Sequence, residues 1–131
     1  MTLALDEFDA LPEALAGVSA RSIRTVFPNS ALIRLEGRRK APLALGVMMH
    51  GDEPVGLTVL QRLQAWMKTH PLPRSLIIFV GNVAAAEAGM RKLPGQPDYN
   101  RIWKGGGEPE HDLAPRGLAA LDEARPFAHI D

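Results

Sequence analysis

The sequence predicts an α/β fold, with a mainly parallel or mixed sheet flanked by helices. Two strongly apolar segments, 41–49 and 74–82, read as strands covered on both faces, and the amphipathic stretch 55–67 between them reads as a helix. Strand, helix and strand in that order imply a right-handed parallel crossover.

Taken in order, Leu5, Phe8, Leu11 and Leu15 stand at helical spacings within 3–17, which predicts a short helix or two turns about Pro12. This segment is expected to act as a lid or an edge element. From Ser30, the alternation of Leu32, Arg34 and Glu36 with Ile33 and Leu35 predicts a half-buried strand, closed by the basic turn Gly37-Arg38-Arg39-Lys40. The run 41–49 is too uniformly apolar for an edge and is expected to be the central strand. Val55, Val59, Leu60, Leu63, Trp66 and Met67 then form the packing stripe of a helix of about four turns. Pro71 and Pro73 stop it. Trp66 is expected in the core, and His70 in the last turn, where a cation suits the helix dipole. Segment 74–82 ends in the turn pair Gly81-Asn82, and alanine-rich 83–89 predicts a short helix. The stretch 90–112, rich in Gly, Pro and charge, is a loop of the length that usually carries function or is disordered. Pro115–Ala124 predicts a further helix with Leu118 and Leu121 on one face, and 125–131 the start of a last strand.

With 131 residues, 46% of them apolar and 23% charged, the chain suits one globular domain over 1–131. Fifteen basic and fifteen acidic residues cancel, so no net field draws it to nucleic acid or an anionic membrane. Small anionic ligands remain open as partners, as does a homo-oligomer. The absence of cysteine excludes disulfides, thiolate nucleophiles and Cys-type metal sites, and fits a reducing cytoplasm. Met1–Asp9 carries acids where a secretory signal would carry a basic region. No run reaches the roughly 18 consecutive apolar residues of a spanning helix, so no membrane partner is expected.

The chemistry begins at His50-Gly51-Asp52-Glu53-Pro54-Val55-Gly56, which leaves the end of the apolar run 41–49 and precedes the predicted helix. In His-x-x-Glu a neutral imidazole and a carboxylate are three residues apart, and a Gly-containing turn can aim both at one cation. These are ligand types that Zn²⁺ accepts. In open α/β sheets, ligands bind outside the carboxyl ends of the strands. The turns starting at His50, Gly81 and Asp131 would all lie there. The long loop adds Arg91 and then Asp98-Tyr99-Asn100-Arg101-Ile102-Trp103. An arginine pair beside a metal can hold a carboxylate bidentately and stabilise an oxyanion.

This ordered set resembles the succinylglutamate desuccinylase/aspartoacylase family of the zinc carboxypeptidase clan. The elements that carry the resemblance are an apolar strand, His-Gly-x-Glu, a strand ending Gly-Asn, an Arg, Asp-x-Asn-Arg and a strand ending Ile-Asp. It covers roughly 41–131 and adds nothing for the first forty residues. The resemblance implies a zinc-carboxypeptidase-like fold and a zinc-dependent hydrolase that cleaves the amide bond of an N-acyl amino acid. It implies that His50 and Glu53 are zinc ligands and that Arg91 polarises the scissile carbonyl and stabilises the oxyanion. Asn100 and Arg101 would grip the substrate carboxylate, with Asp98 bracing the loop. The family's third ligand is a His two residues after an Asp at a strand end, and Asp131 occupies that Asp position. The resemblance therefore implies a truncated amino-terminal part of a catalytic domain that continues beyond residue 131, with the family's proton-shuttling glutamate also further on and the isolated fragment inactive. The Arg91–Asn100 interval is longer than is usual in the family.

Other residues are read more plainly. His129 precedes the Asp and is expected as a core residue or one that supports the ligands. Glu108-Pro109-Glu110-His111-Asp112 is expected as a solvated loop, and Trp103 either lines the pocket or pins the loop. Gly105-Gly106-Gly107 lacks the Lys-Ser/Thr of a phosphate loop, which disfavours nucleotide binding. The rival functional reading is a noncatalytic module of the same fold that binds a small carboxylate without hydrolysing it. A third is a bare structural fragment.

Overall fold

In the computed structural model, which describes residues 3–131, five strands form one sheet. They are β1 (Leu5–Phe8), β2 (Ser30–Leu35), β3 (Arg39–Val47), β4 (Arg74–Val80) and β5 (Ala128–Ile130), in the spatial order β1-β2-β4-β3-β5. The helices are α1 (Val55–Met67), α2 (Val83–Ala88) and α3 (Leu113–Ala124). The expected α/β class with a mixed sheet is what forms. β1 runs parallel to β2, β3 parallel to both β4 and β5, and only β2 and β4 pair antiparallel.

The sheet is covered on both faces because its inner strands carry apolar side chains on both. Ile33, Leu35, Val47, Ile78 and Val80 pack with Leu57 and Leu60 of α1 and Val83 and Ala86 of α2. Leu32, Ala44, Ile77 and Phe79, on the opposite face by the two-residue period of a strand, pack with Ile102, Leu113 and Ala114. Phe27, Leu15 and Ile23 are fully buried in the first cluster, each stabilising the fold by about 1.5–3 kcal/mol. Among the described residues, no helix is long and apolar enough to cross a membrane.

Several expectations need correction. The segment 3–17 is not a helix, because residues 5–8 pair as an edge strand and only Glu13–Gly17, after Pro12, winds into a 3₁₀ turn. Arg34 bonds Glu7 at 2.7 Å and Asn29 bonds Asp6 at 3.1 Å, fastening that edge. β2 is buried along nearly its whole length rather than half-buried, since β1 and β4 flank it. β4, not β3, is the central strand, and the first three residues of β3 are exposed. The stripe expected on α1 is misphased. Val55, Val59 and Trp66 are exposed, while Leu57 and Leu60 are buried. Gln61 and Gln64 on the inner side donate their amides to Leu15 O, Val18 O and Pro12 O, so the amino-terminal segment docks on polar as well as apolar positions. Trp66 is therefore not core. It stacks on His70 at 4.5 Å, and His70 Nδ1 sits 3.1 Å from Trp66 O at the helix end, where the dipole argument put it.

A candidate metal centre at the end of β3

Past β3 the chain must reverse sharply to bring His50 back over the sheet. Met48 makes that turn with φ 57°, a left-handed conformation that costs a residue with a Cβ roughly 1–2 kcal/mol. The turn is held by the neighbouring strand end. Gly81 N–H donates to Val47 O at 3.0 Å and Asn82 N–H to Met48 O at 2.7 Å. Asn82, 1% exposed, also caps α2 by accepting from Ala85 N–H and donates to Gln96 Oε1 at 2.8 Å. The pair Gly81-Asn82, read from sequence only as a turn, is thus the bracket between the two strand ends and the long loop. Its signal was an Asn directly before a run of alanines, a good N-cap.

The glycine of His-Gly-x-Glu has a packing reason. A Cβ on Gly51 would penetrate the Ala85–Ala86 peptide and Met90 O, so only glycine lets the motif dock on the end of α2. Docked there, Gly51 N–H donates to Arg91 O at 3.0 Å, which delivers Arg91 to the motif.

Around His50 the side chains form a chain of acceptors. Glu53 Oε1 lies 3.2 Å from His50 Nδ1, and both oxygens of Asp98 lie 3.0 Å from His50 Nε2. The imidazole is almost buried, at 7% side-chain exposure, whereas Glu53 is 56% exposed. In its neutral form the imidazole has one N–H, and a hydrogen on Nε2 would satisfy the contact with both Asp98 oxygens. Nδ1 then presents its electron pair toward a carboxylate, and the space between an electron pair and a carboxylate is a place for a cation. Zn–N and Zn–O bonds of about 2.0–2.2 Å at a tetrahedral angle would separate two donors by roughly 3.3–3.5 Å. The observed Nδ1–Oε1 separation of 3.2 Å is a hydrogen-bond distance just short of that range, so the two donors need move apart only slightly to admit the ion.

Burial works to raise the pKa of Asp98, but hydrogen bonds from Asn100 N–H and His50, with the charge His50 carries when protonated and that of Arg91, hold it below the ordinary carboxylate value. Arg91 spans the two acids, 3.8 Å from Glu53 Oε1 and 3.8 Å from Asp98 Oδ2. At 57% exposure its pairs are worth little as stability. Its guanidinium is therefore available to a ligand.

The structure thus brings together His50, Glu53 and Arg91 with Asp98. Asn100 and Arg101 enter differently. Asn100 N–H donates to Asp98 Oδ1 at 2.9 Å and Arg101 N–H to Asp98 O at 2.8 Å, an Asx turn that fixes the carboxylate. The Arg101 side chain is exposed, and Asn100 faces a cavity of about 310 Å³ between α3 and the sheet. Trp103 lines this cavity and packs edge-on against Phe79 at 5.7 Å, which pins the loop. His129 is not a core residue. It is exposed on β5 and lines the cavity with Asp131. The segment Glu108–Asp112 is not wholly solvated either: residues 109–112 form a 3₁₀ turn, and His111, 11% exposed, stands 3.0 Å from Glu108. Among the described residues, no group of three His, Cys, Asp or Glu side chains is arranged to hold a metal.

Comparison with protein-family models, with curated proteins and with solved structures gives no match to this chain.

Proposed function

We propose that the chain carries part of the site of a zinc-dependent amidohydrolase acting on an N-acyl amino acid, of the succinylglutamate desuccinylase/aspartoacylase kind. One observation carries the reading: His50 bonds Asp98 through Nε2 and turns Nδ1 toward Glu53 at 3.2 Å. Carboxylate–histidine–zinc triads have this form, the outer carboxylate fixing the tautomer and raising the basicity of the ligand. A zinc-carboxypeptidase-like fold goes with the reading, since the motif leaves the carboxyl end of a strand in a mixed sheet.

His50 and Glu53 would hold the ion, and a third donor is still required. Zinc bound there would supply Lewis-acid polarisation of a carbonyl and acidification of water. Arg91, beside both acids, offers guanidinium donors to the oxyanion that develops when the amide carbonyl is attacked. Asn100 supplies an amide at the cavity wall and Arg101 an exposed guanidinium, suited to one carboxylate of the substrate. A cytoplasmic setting, which the cysteine-free sequence suggests, belongs to the same proposal.

The test is zinc titration of the chain beside His50→Ala and Glu53→Gln, followed by assay of N-succinyl- and N-acetyl-amino acids. Binding should weaken in both variants. Zinc bound equally well by His50→Ala would overturn the site. Zinc and carboxylate binding by a protein with both motifs intact, yet no turnover from any form that supplies a third ligand, would identify the noncatalytic module instead.

A further inference from the structure

We propose that the cavity between α3 and the sheet is a specificity pocket for an apolar aryl or alkyl group of the substrate, opened by Gly46 and Gly117. The inference rests on the amidohydrolase reading and names the substrate class that this site would take.

Neither glycine is there because the backbone demands it. Gly46 lies inside β3 and Gly117 inside α3, and neither has a positive φ. A Cβ on Gly46 would meet nothing nearer than Asp131 Cβ at 3.7 Å, and one on Gly117 nothing nearer than Trp103 at 3.5 Å. Both distances are ordinary van der Waals contact. Glycine inside a strand or a helix weakens it, so these two positions forgo a stabilising side chain that would fit. Both face the same space, one from its floor and one from its roof, and the missing side chains are what leave it open.

The walls define the ligand. Phe79, Trp103, Leu118 and Leu121 contribute apolar surface, and the polar groups are Asn100, His129 and Asp131. No Lys or Arg lines the cavity among the described residues. A dicarboxylic acyl chain would place its distal carboxylate there with no Lys or Arg to meet it and beside the Asp131 carboxylate, an unfavourable arrangement. An apolar group meets no such cost. A dry cavity of roughly 150 Å³ accepts benzene; at about 310 Å³ this one has room for an aryl ring and a short methylene chain. Met49, which precedes His50 in the chain, and Asn100, whose N–H holds Asp98, both line the cavity and so link it to the metal centre. A group seated in the cavity therefore lies against the loop that carries Asp98.

The test compares 4-phenylbutyramide with succinamate, which share an amide and end in a phenyl after three methylenes against a carboxylate after two. The chain has two tryptophans, so the titration is read from Trp103 fluorescence in a Trp66→Phe background, without metal and with chelator present. 4-Phenylbutyramide is expected to bind saturably and at least tenfold more tightly than succinamate. Gly46→Val and Gly117→Leu, which fill the cavity from opposite walls, should each weaken it at least tenfold while the thermal midpoint holds or rises. Gly17→Ala, with nothing within 4 Å of the added carbon, serves as the control. If one filling variant fails to fold, the other decides, with Gly46→Ala and Gly117→Ala as milder forms. Succinamate binding as tightly, no saturable binding of either amide, or affinity unchanged in the filled variants would overturn the proposal. The zinc titration with His50→Ala fails or succeeds separately, so loss of the metal reading and loss of the pocket are distinguishable.

Discussion

Replacing Asp98 tests the electronic role assigned to it rather than mere proximity. Its carboxylate contacts His50 Nε2 through both oxygens at 3.0 Å and is itself fixed by Asn100 N–H at 2.9 Å. Asp98→Asn keeps a comparable shape and one acceptor oxygen, but removes the charge and offers an NH₂ that can face Nε2 instead. His50 then loses its bias toward the Nε2–H tautomer, and Nδ1 becomes a poorer donor. Loss of such an outer partner weakens metal binding by about 10–100-fold, equivalent to about 1.4–2.8 kcal/mol. Asn is expected near the lower bound, and Ala, which removes the acceptor altogether, near the upper. The assay is ¹⁵N NMR of histidine-labelled protein during zinc titration, which reads weak binding directly and reports which ring nitrogen carries hydrogen. In the wild-type protein the neutral ring should be protonated at Nε2, and zinc should move the Nδ1 resonance. An unchanged zinc midpoint in Asp98→Ala, or zinc perturbing Nε2 rather than Nδ1, would refute the reasoning.

Gly51→Ala should lower stability by about 1–3 kcal/mol, the usual cost of overpacking, because its Cβ meets backbone of α2; thermal unfolding with no loss would show that the motif does not dock there. In a form of the protein that turns over, Arg91→Ala should mainly lower kcat, by roughly 10²–10³ as for an oxyanion donor, whereas Arg101→Ala should mainly raise KM. Unchanged turnover in Arg91→Ala would remove that role. Tyr99 is the single tyrosine, so phenolate absorbance reports it alone. Burial, with the Glu110 charge adding to it and the Ser30 hydroxyl opposing, pushes its pKa from 10.0 up to about 12. An acid whose pKa is raised by folding stabilises the fold fully below the unfolded value and loses that contribution as pH rises through the folded one. Stability from this source should therefore drain between about pH 10 and 12, and a folded-state midpoint near 10 would contradict the burial.

The β3-α1-β4 unit was legible as strand, helix and strand because of its run lengths and hard stops, not because of its phase. Strand runs of continuous apolar residues flank a helix that Pro71 and Pro73 terminate. β1 was illegible for a definite reason. Leu5 and Phe8 are three apart, which looks like a helical pair, but in a strand they point to opposite faces, and here both faces are covered. Leu5 packs into the cluster under α3, while Phe8 packs edge-on against Phe27 at 5.5 Å in the other. A short edge strand with one apolar residue on each face has no alternation to detect. The phase of α1 failed similarly, since apolar residues stand on both of its sides and two inward positions are glutamines satisfied by carbonyls 43 to 52 residues away.

At the candidate site, the nearness of His50 and Glu53 was legible from a local spacing, whereas Arg91, which also comes near, was named only through the resemblance in motif order. What local spacing could not state is which nitrogen of His50 faces which acid, because that depends on a carboxylate 48 residues downstream. The loop arrives there only if Gly51 can touch α2 and Asn82 can hold Gln96, so the electronic state of one imidazole is set by a backbone contact and a buried amide. The cavity was harder still to read. It is formed by side chains that are missing at Gly46 and Gly117, and a missing side chain leaves no hydrophobic period in the sequence; it becomes visible only when the two elements are laid against each other and the space where each Cβ would fit proves to be one and the same.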